Sequence, residues 1–292
     1  MTARRPIHGQ GGVVTRFAPS PTGRLHLGHA FSAIRAHDHA VERGGRFLLR
    51  IEDIDGTRSR PEHVDTILAD LAWLGLTWEG PVFQSQRLPL YQSALDRLKA
   101  DRLVYPCFCT RAEIAASTTA PHGPSPAYPG TCRHLTPAQV AARIGEPHCW
   151  RLDLPAAMAV AGPLDWHDEH AGRIVADPAP QGDVVLARKD APASYHLAVT
   201  IDDAAQGVTD VVRGIDLFDA THIHRLLQAL LGLPTPAYHH HALLVGTDGE
   251  RLAKRHGAPT LAAMRADGAD GPALAASLRA GRLPSGFSAA NA

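Results

Sequence analysis

Lysine is nearly absent from this chain, with three residues against 26 arginines. Cysteine is scarce too, four in 292 residues. That excludes a disulfide scaffold. The start "MTARRPIHGQGG" carries charge with no apolar run behind it, so no secretory leader is expected and the thiols are expected to be reduced, in the cytoplasm. No stretch approaches the roughly 18 apolar residues of a membrane span. Net charge is missing as well: 29 basic side chains face 29 acidic ones. The molecule therefore lacks the overall charge of a basic nucleic-acid-binding domain, and any RNA contact must be local. Internal repeats of 20 to 50 residues are also lacking. What is left is a globular chain, 45% hydrophobic and 20% charged, long enough for one large domain or two ordinary ones. No apolar stripe is left over for a partner, so a monomer is expected.

The chain opens with strand, helix, strand. "VVTRFA" (13–18) reads as a short buried strand, residues 27–43 as a helix and "RFLLRIED" (46–53) as a second strand. That order suggests a parallel crossover unit. "SRPE" (59–62) offers a capping box, with Ser59 at the cap and Glu62 three residues on, followed by Val64, Ile67, Leu68 and Leu71 at helical spacing. A further amphipathic helix is expected over 89–103. From 107 to 182 the texture changes: Pro and Gly become frequent and three cysteines cluster. Then "DVVLAR" (183–188), "YHLAVTID" (195–202), "DVVRG" (210–214) and "HALLV" (241–245) read as core strands, with a helix at 216–231. The expectation is an α/β, doubly wound, Rossmann-like parallel-sheet core. Its halves, 13–106 and 183–262, are split by an inserted subdomain at 107–182. Residues 263–292 are expected to form one more helix and a loose tail.

The stretch "RFAPSPTGRLHLGHA" (16–30) concentrates unusual chemistry. Pro19 and Pro21 fix two φ angles, and Gly23 lets the backbone approach a bulky ligand. The helix beginning near Leu27 points free N–H groups and its positive dipole end back at this turn, which suits an anion. His26 and His29 can hydrogen-bond phosphate oxygens there. Taken alone, the two histidines also fit solvated surface, or a metal pair lacking its third ligand.

"APSPTGRLHLGH" closely resembles the signature of class I aminoacyl-tRNA synthetases of the glutamyl/glutaminyl group. The resemblance implies adenylate chemistry, in which an amino-acid carboxylate attacks the α-phosphate of ATP and pyrophosphate leaves. It makes His26, His29 and Lys254 the catalytic residues. Pro19, Gly23 and Gly28 join them around ATP and its Mg2+. Lys254 sits in "RLAKRHG" (251–257), which resembles the family's lysine loop, although Ala253 stands where serine is frequent. The resemblance further implies that Glu52 binds the α-amino group of the substrate and that Ala18, Ser20 and Tyr195 lie beside it. Arg16 and Arg213, the latter in "VVRGIDL" (211–217), would clamp a side-chain carboxylate. A fork of N–H donors fits a carboxylate bidentately and a neutral amide badly, so L-glutamate is favoured over glutamine.

"CFC" (107–109) and "YPGTC" (128–132) place Cys107, Cys109 and Cys132 on either side of a Pro/Gly-rich loop. The pattern fits a structural Zn2+ knot stapling a segment too short for its own core, and it also fits three ordinary buried thiols. Tyr128, His122, His134 and Cys149 are the candidates for a fourth ligand. The resemblance points to Tyr128.

Only about 30 residues follow the lysine loop, too few for a helical anticodon-binding region. In this the chain resembles a shortened branch of the family. Those members transfer activated glutamate to queuosine in the anticodon of tRNA(Asp). Arg111, Arg133 and Arg143 of the insertion would then meet RNA phosphates. Two alternatives stay open: a compact synthetase charging the 3′ end of tRNA, and a non-catalytic glutamate- or tRNA-binding paralogue suggested by Ala253.

Overall fold

The computed structural model describes residues 12–110, 113–114, 128–189, 191–246, 259–283 and 287–290. Strand β1 (Val14–Phe17) is wholly buried, and helix α1 (Leu27–Val41) carries the chain across to the parallel strand β2 (Arg46–Ile51). Helix α2 (Pro61–Trp73) crosses to β3 (Glu79–Phe83), parallel to β2. The Ser59 capping box does not form. The cap position is Arg60, without a side-chain bond, and Pro61 opens the helix instead, where its missing N–H costs nothing.

After α3 (Leu88–Ala100) comes a separate antiparallel sheet. Its β4 (Val104–Cys107) pairs with β5 (Cys149–Leu152), and β5 with β8 (Val185–Ala187). Between these lie α4 (Pro137–Arg143), α5 (Leu154–Ala161) and the hairpin of β6 (Asp165–Asp168) with β7 (Gly172–Val175). The segment 183–188, expected in the parallel core, thus belongs to the antiparallel sheet.

The second half of the core contains α6 (Tyr195–Ala205), β9 (Asp210–Gly214), α7 (Ala220–Leu231) and β10 (Ala237–His241). Here the expectation of a strand over 195–202 fails, because that stretch is α6. Residues 197 to 203 are all buried against α3, α7 and β8. A helix covered on every side shows no 3.6-residue period, and its apolar run reads like a buried strand. The expected strand 241–245 also divides: β10 ends at His241, and β11 (Leu243–Val245) turns away to pair with β12 (Ser288–Ala290). Helices α8 (Leu261–Ala266) and α9 (Gly271–Arg279) precede β12, and α9 packs on α1. The C-terminal stretch is thus two helices and a paired strand.

Strands β9 and β10 are parallel, and β10 is parallel to β6. The two halves meet at β1 and β9. Val14 N–H donates to Thr209 Oγ1 at 2.8 Å, and Thr209 N–H returns to Val14 O at 3.0 Å. The strand order β3–β2–β1 passes there into β9–β10–β6–β7, and such switch points open a crevice at the carboxyl ends of the strands. One apolar core lies between α1, α2, α9 and the β1–β2 face; another is formed by α3, α5, α6, α7 and β8.

Candidate active site

A cavity of about 390 Å³ occupies that crevice. The structure brings Arg16, Ala18, Pro19, Ser20, Gly23, His26, Gly28, His29, Glu52, Tyr195 and Arg213 to its wall, from the ends of β1, β2 and β9 and the starts of α1 and α6. The turn after β1 is tied to its surroundings through backbone: Glu52 N–H donates to Pro19 O, and Arg60 N–H to Pro21 O, both at 3.0 Å. Lys254, with all of "RLAKRHG", lies outside the described residues. The residues flanking that stretch border the cavity. Leu243 and Leu244 line it, Thr260 bridges to His26, and Leu261 N–H donates to Leu25 O at 2.9 Å.

His26 is the N-cap of α1, in extended conformation, and its Nδ1 accepts from Gly28 N–H at 3.1 Å. His29 Nδ1 accepts in turn from His26 N–H at 3.2 Å. A neutral imidazole whose Nδ1 accepts must carry its proton on Nε2. The cap therefore makes both rings Nε2–H donors, side by side with centroids 3.9 Å apart. Gly28 lies close under the His26 ring: a Cβ there would stand 3.0 Å from His26 Cε1, so the ring would have to give by a few tenths of an ångström.

Arg213 is 5% exposed, and all five of its N–H groups meet neutral acceptors. Nε donates to His240 Nε2 (3.1 Å) and Nη2 to Leu217 O (3.1 Å) and Thr221 Oγ1 (2.6 Å). Nη1 makes only longer bonds, to His224 Nδ1 (3.3 Å) and Tyr195 Oη (3.4 Å). Burial and the Arg213 charge hold His240 down to about 4 and push His224 well below the usual histidine range. His240 Nδ1 donates to buried Asp168 (2.8 Å), and His224 is backed by His196 (3.2 Å), itself held down to about 4 by burial and Arg213. Among the described residues, no carboxylate forms an ion pair with this guanidinium.

Arg16 is different. Its Nε and Nη2 already grip Asp203 at 3.0 and 3.3 Å. Arg50, fully buried, adds a 2.8 Å bond to the same carboxylate. Glu52 sits 3.9 Å from Arg50 Nε. Burial raises the Glu52 carboxyl to about 7, although Arg50 and Arg16 pull the other way. Sequence reasoning missed Arg50, Asp203, Asp168, His224 and His240. The signal for two of them was charge inside apolar runs: Arg50 in "FLLRI" and Asp203 after "LAVTI".

The three thiols do converge. Donor atoms of Cys107, Cys109 and Cys132 lie within 4.8 Å of one another, and Cys109 Sγ is 3.5 Å from both Cys132 Sγ and Tyr128 Oη. Tetrahedral zinc with thiolates at 2.3 Å requires sulfurs about 3.8 Å apart, so the set fits. Of the other candidates for the fourth place, Cys149 faces Cys107 across the β4–β5 pair and His134 ends a short turn. His122 lies outside the described residues, as does Arg111. Arg133 is paired with Asp183 (3.0 Å) and Arg143 with Glu146 (2.8 Å), so both charges are already engaged.

Residues 12–288 match the family model for the catalytic domain of class I tRNA synthetases (E and Q). A glutamyl-Q tRNA(Asp) synthetase of Rhodobacter capsulatus is 51% identical over 270 residues, 88% of this chain and 96% of that one. Another, from Symbiobacterium thermophilum, is 49% identical over 267 residues, 87% of this chain and 81% of that one. Among solved structures, a glutamate tRNA ligase of Elizabethkingia meningosepticum superposes with TM-score 0.71 at 29% identity over 84% of this chain. This chain spans 52% of that one, about half its length. The chain belongs to the class I tRNA synthetases (E and Q) and is an enzyme of the synthetase type.

Proposed function

We propose that this enzyme activates L-glutamate with ATP and Mg2+, and transfers the glutamyl group to queuosine in the anticodon of tRNA(Asp). In the first step a carboxylate oxygen of glutamate attacks the α-phosphorus of ATP, and the bond to pyrophosphate breaks. In the second, a queuosine hydroxyl attacks the acyl carbon and AMP departs. The observation that carries the reading is Arg213, a buried cation with neutral partners whose two Nη1 bonds are long. A side-chain carboxylate placed there would balance its charge; a glutamine amide would not. Glu52 would receive the α-ammonium group, and the Nε2–H donors of His26 and His29 would meet the phosphates at the start of α1. Lys254 would hold the leaving pyrophosphate. Arg16, already bound to Asp203, would contribute long-range charge and its remaining N–H groups. Zn2+ on Cys107, Cys109, Cys132 and Tyr128 would staple the insertion. The anticodon target rests on the names of the similar synthetases.

Labelled glutamate and ATP, incubated with tRNA(Asp) with and without queuosine, test the reading. Label is expected only on queuosine-bearing tRNA. Equal labelling of both would overturn it, and label lost on trimming the CCA end would assign the enzyme to 3′ charging.

A further inference from the structure

We propose that His39, His239 and Asp210 form a second metal site, taking a divalent transition ion of the zinc class, with Glu169 orienting His239. These residues come from four separate places: His39 from the last turn of α1, His239 from the middle of β10, Asp210 from the start of β9, and Glu169 from the turn after β6. None of them belongs to the active-site cavity or to the thiol cluster.

The geometry converges on one oxygen. His39 Nε2 lies 3.3 Å and His239 Nε2 2.8 Å from Asp210 Oδ1, with the two rings 4.1 Å apart at their centroids. Thr209 Oγ1 occupies the other oxygen, Oδ2, at 2.7 Å, which turns Oδ1 toward the imidazoles. Glu169 Oε2 stands 2.6 Å from His239 Nδ1, the far side of the ring. Donor atoms of His39, His239 and Glu169 all fall within 4.8 Å of one another. A tetrahedral ion with ligands at 2.0–2.1 Å sets neighbouring donors about 3.3 Å apart. The His39 distance matches this, and the His239 distance has only to open by about half an ångström. A carboxylate behind a ligating imidazole is the usual arrangement that fixes the ring and its tautomer. Two imidazoles and one carboxylate suit zinc-class ions better than magnesium or calcium.

Burial favours the same conclusion. The side chains of His39, His239 and Asp210 are 10%, 13% and 5% exposed, yet a separate cavity of about 330 Å³ reaches His39 and His239, giving an ion its entry. The arginines lining that cavity have partners of their own: Arg279 holds Asp38 at 2.8 Å, Arg43 stands 3.8 Å from Glu42, and Arg35 lies over the Phe31 ring. An ion here would pin the β6–β7 hairpin to α1 and to strands β9 and β10, which also carry Arg213 and His240.

The test uses the full chain, stripped with a chelator, reloaded with Zn2+ and passed through a desalting column before its metal content is measured. Wild type is expected to retain one equivalent more than His39→Ala or His239→Ala. A Cys107→Ser/Cys132→Ser variant is expected to keep that equivalent, and Zn2+ should raise its Tm unless His239→Ala is added. Glu169→Gln, a milder change should the alanine variants fold poorly, is expected to weaken zinc binding roughly 10- to 100-fold. Equal zinc in wild type and the histidine variants, or loss of the extra equivalent with the thiols, would overturn the site and leave His239 as an ion-pair partner of two carboxylates.

Discussion

At the residue scale, two side chains bear most of the proposed selectivity. Truncating one partner of a buried charge pair costs about 2–5 kcal/mol, so Arg213→Gln should lower kcat/KM for glutamate by about 30-fold or more. ATP binding should be unchanged. Glutamate-dependent ATP–pyrophosphate exchange, run with tRNA present, measures the first, and calorimetry with ATP measures the second. An unaltered kcat/KM would remove Arg213 from the glutamate site. Glu52 adds a pH signature. Its carboxyl titrates near 7 because burial disfavours the charged form. Only the carboxylate can hold the substrate ammonium. The ionised fraction falls as pH drops through 7, so glutamate KM should rise about tenfold from pH 8 to pH 6. Glu52→Gln should bind weakly at both values and flatten the profile. A wild-type KM that stays level across this range would contradict the assigned role.

At the scale of the element, the start of α1 is built around one small residue. Gly28→Ala would put a methyl group 3.0 Å from His26 Cε1 and 3.2 Å from Nδ1, displacing the ring that caps the helix. Alanine is a better helix former by up to about 1 kcal/mol, and weakening the His26 cap costs about as much, so stability should change little. Activity should fall tenfold or more. Tm by circular dichroism and exchange kinetics separate the two effects; a variant as active as the parent would mean that the His26 ring position is immaterial. Helix α6 carries a different lesson. Its run "YHLAVTIDDAA" reads as a strand because every face is covered, yet Asp202 and Asp203 are its most informative residues. Asp202 accepts from Gln84, Arg87 and Tyr91, and Asp203 binds Arg16 and Arg50. Two adjacent carboxylates in an apolar run were a legible sign of buried partners, though not of which partners.

At the scale of the whole molecule, one apolar core lies against β1 and β2, and another joins α3, α6 and α7 to the small sheet β4–β5–β8, which carries the thiols at one end. A segment that depends on a metal staple should loosen without it. Chelation is expected to raise hydrogen exchange in 104–110 and 128–152 and to leave β1 and β2 protected. Exchange mass spectrometry would show this, and uniform protection with and without chelator would reduce the thiols to core residues. Among the described residues, no helix is long and apolar enough to cross a membrane.

Local order alone made the first βα unit and the signature turn legible, because each depends on residues close together in the chain, whereas the cap it offered at Ser59 did not form and the cap at His26 went unread. The parallel pairing of β1 with β2 follows from the same short range. What the tertiary structure decided lies at long range. It turned 195–202 from strand to helix by covering it on all sides, and it moved the core strand from 241–245 back to 237–241, where three histidines hide the pattern. It also brought Asp168, His224 and His240 around Arg213, and Asp203 onto Arg16, 187 positions apart. Charge pairing in a buried site is set by distance in space, and no periodicity along the chain records it.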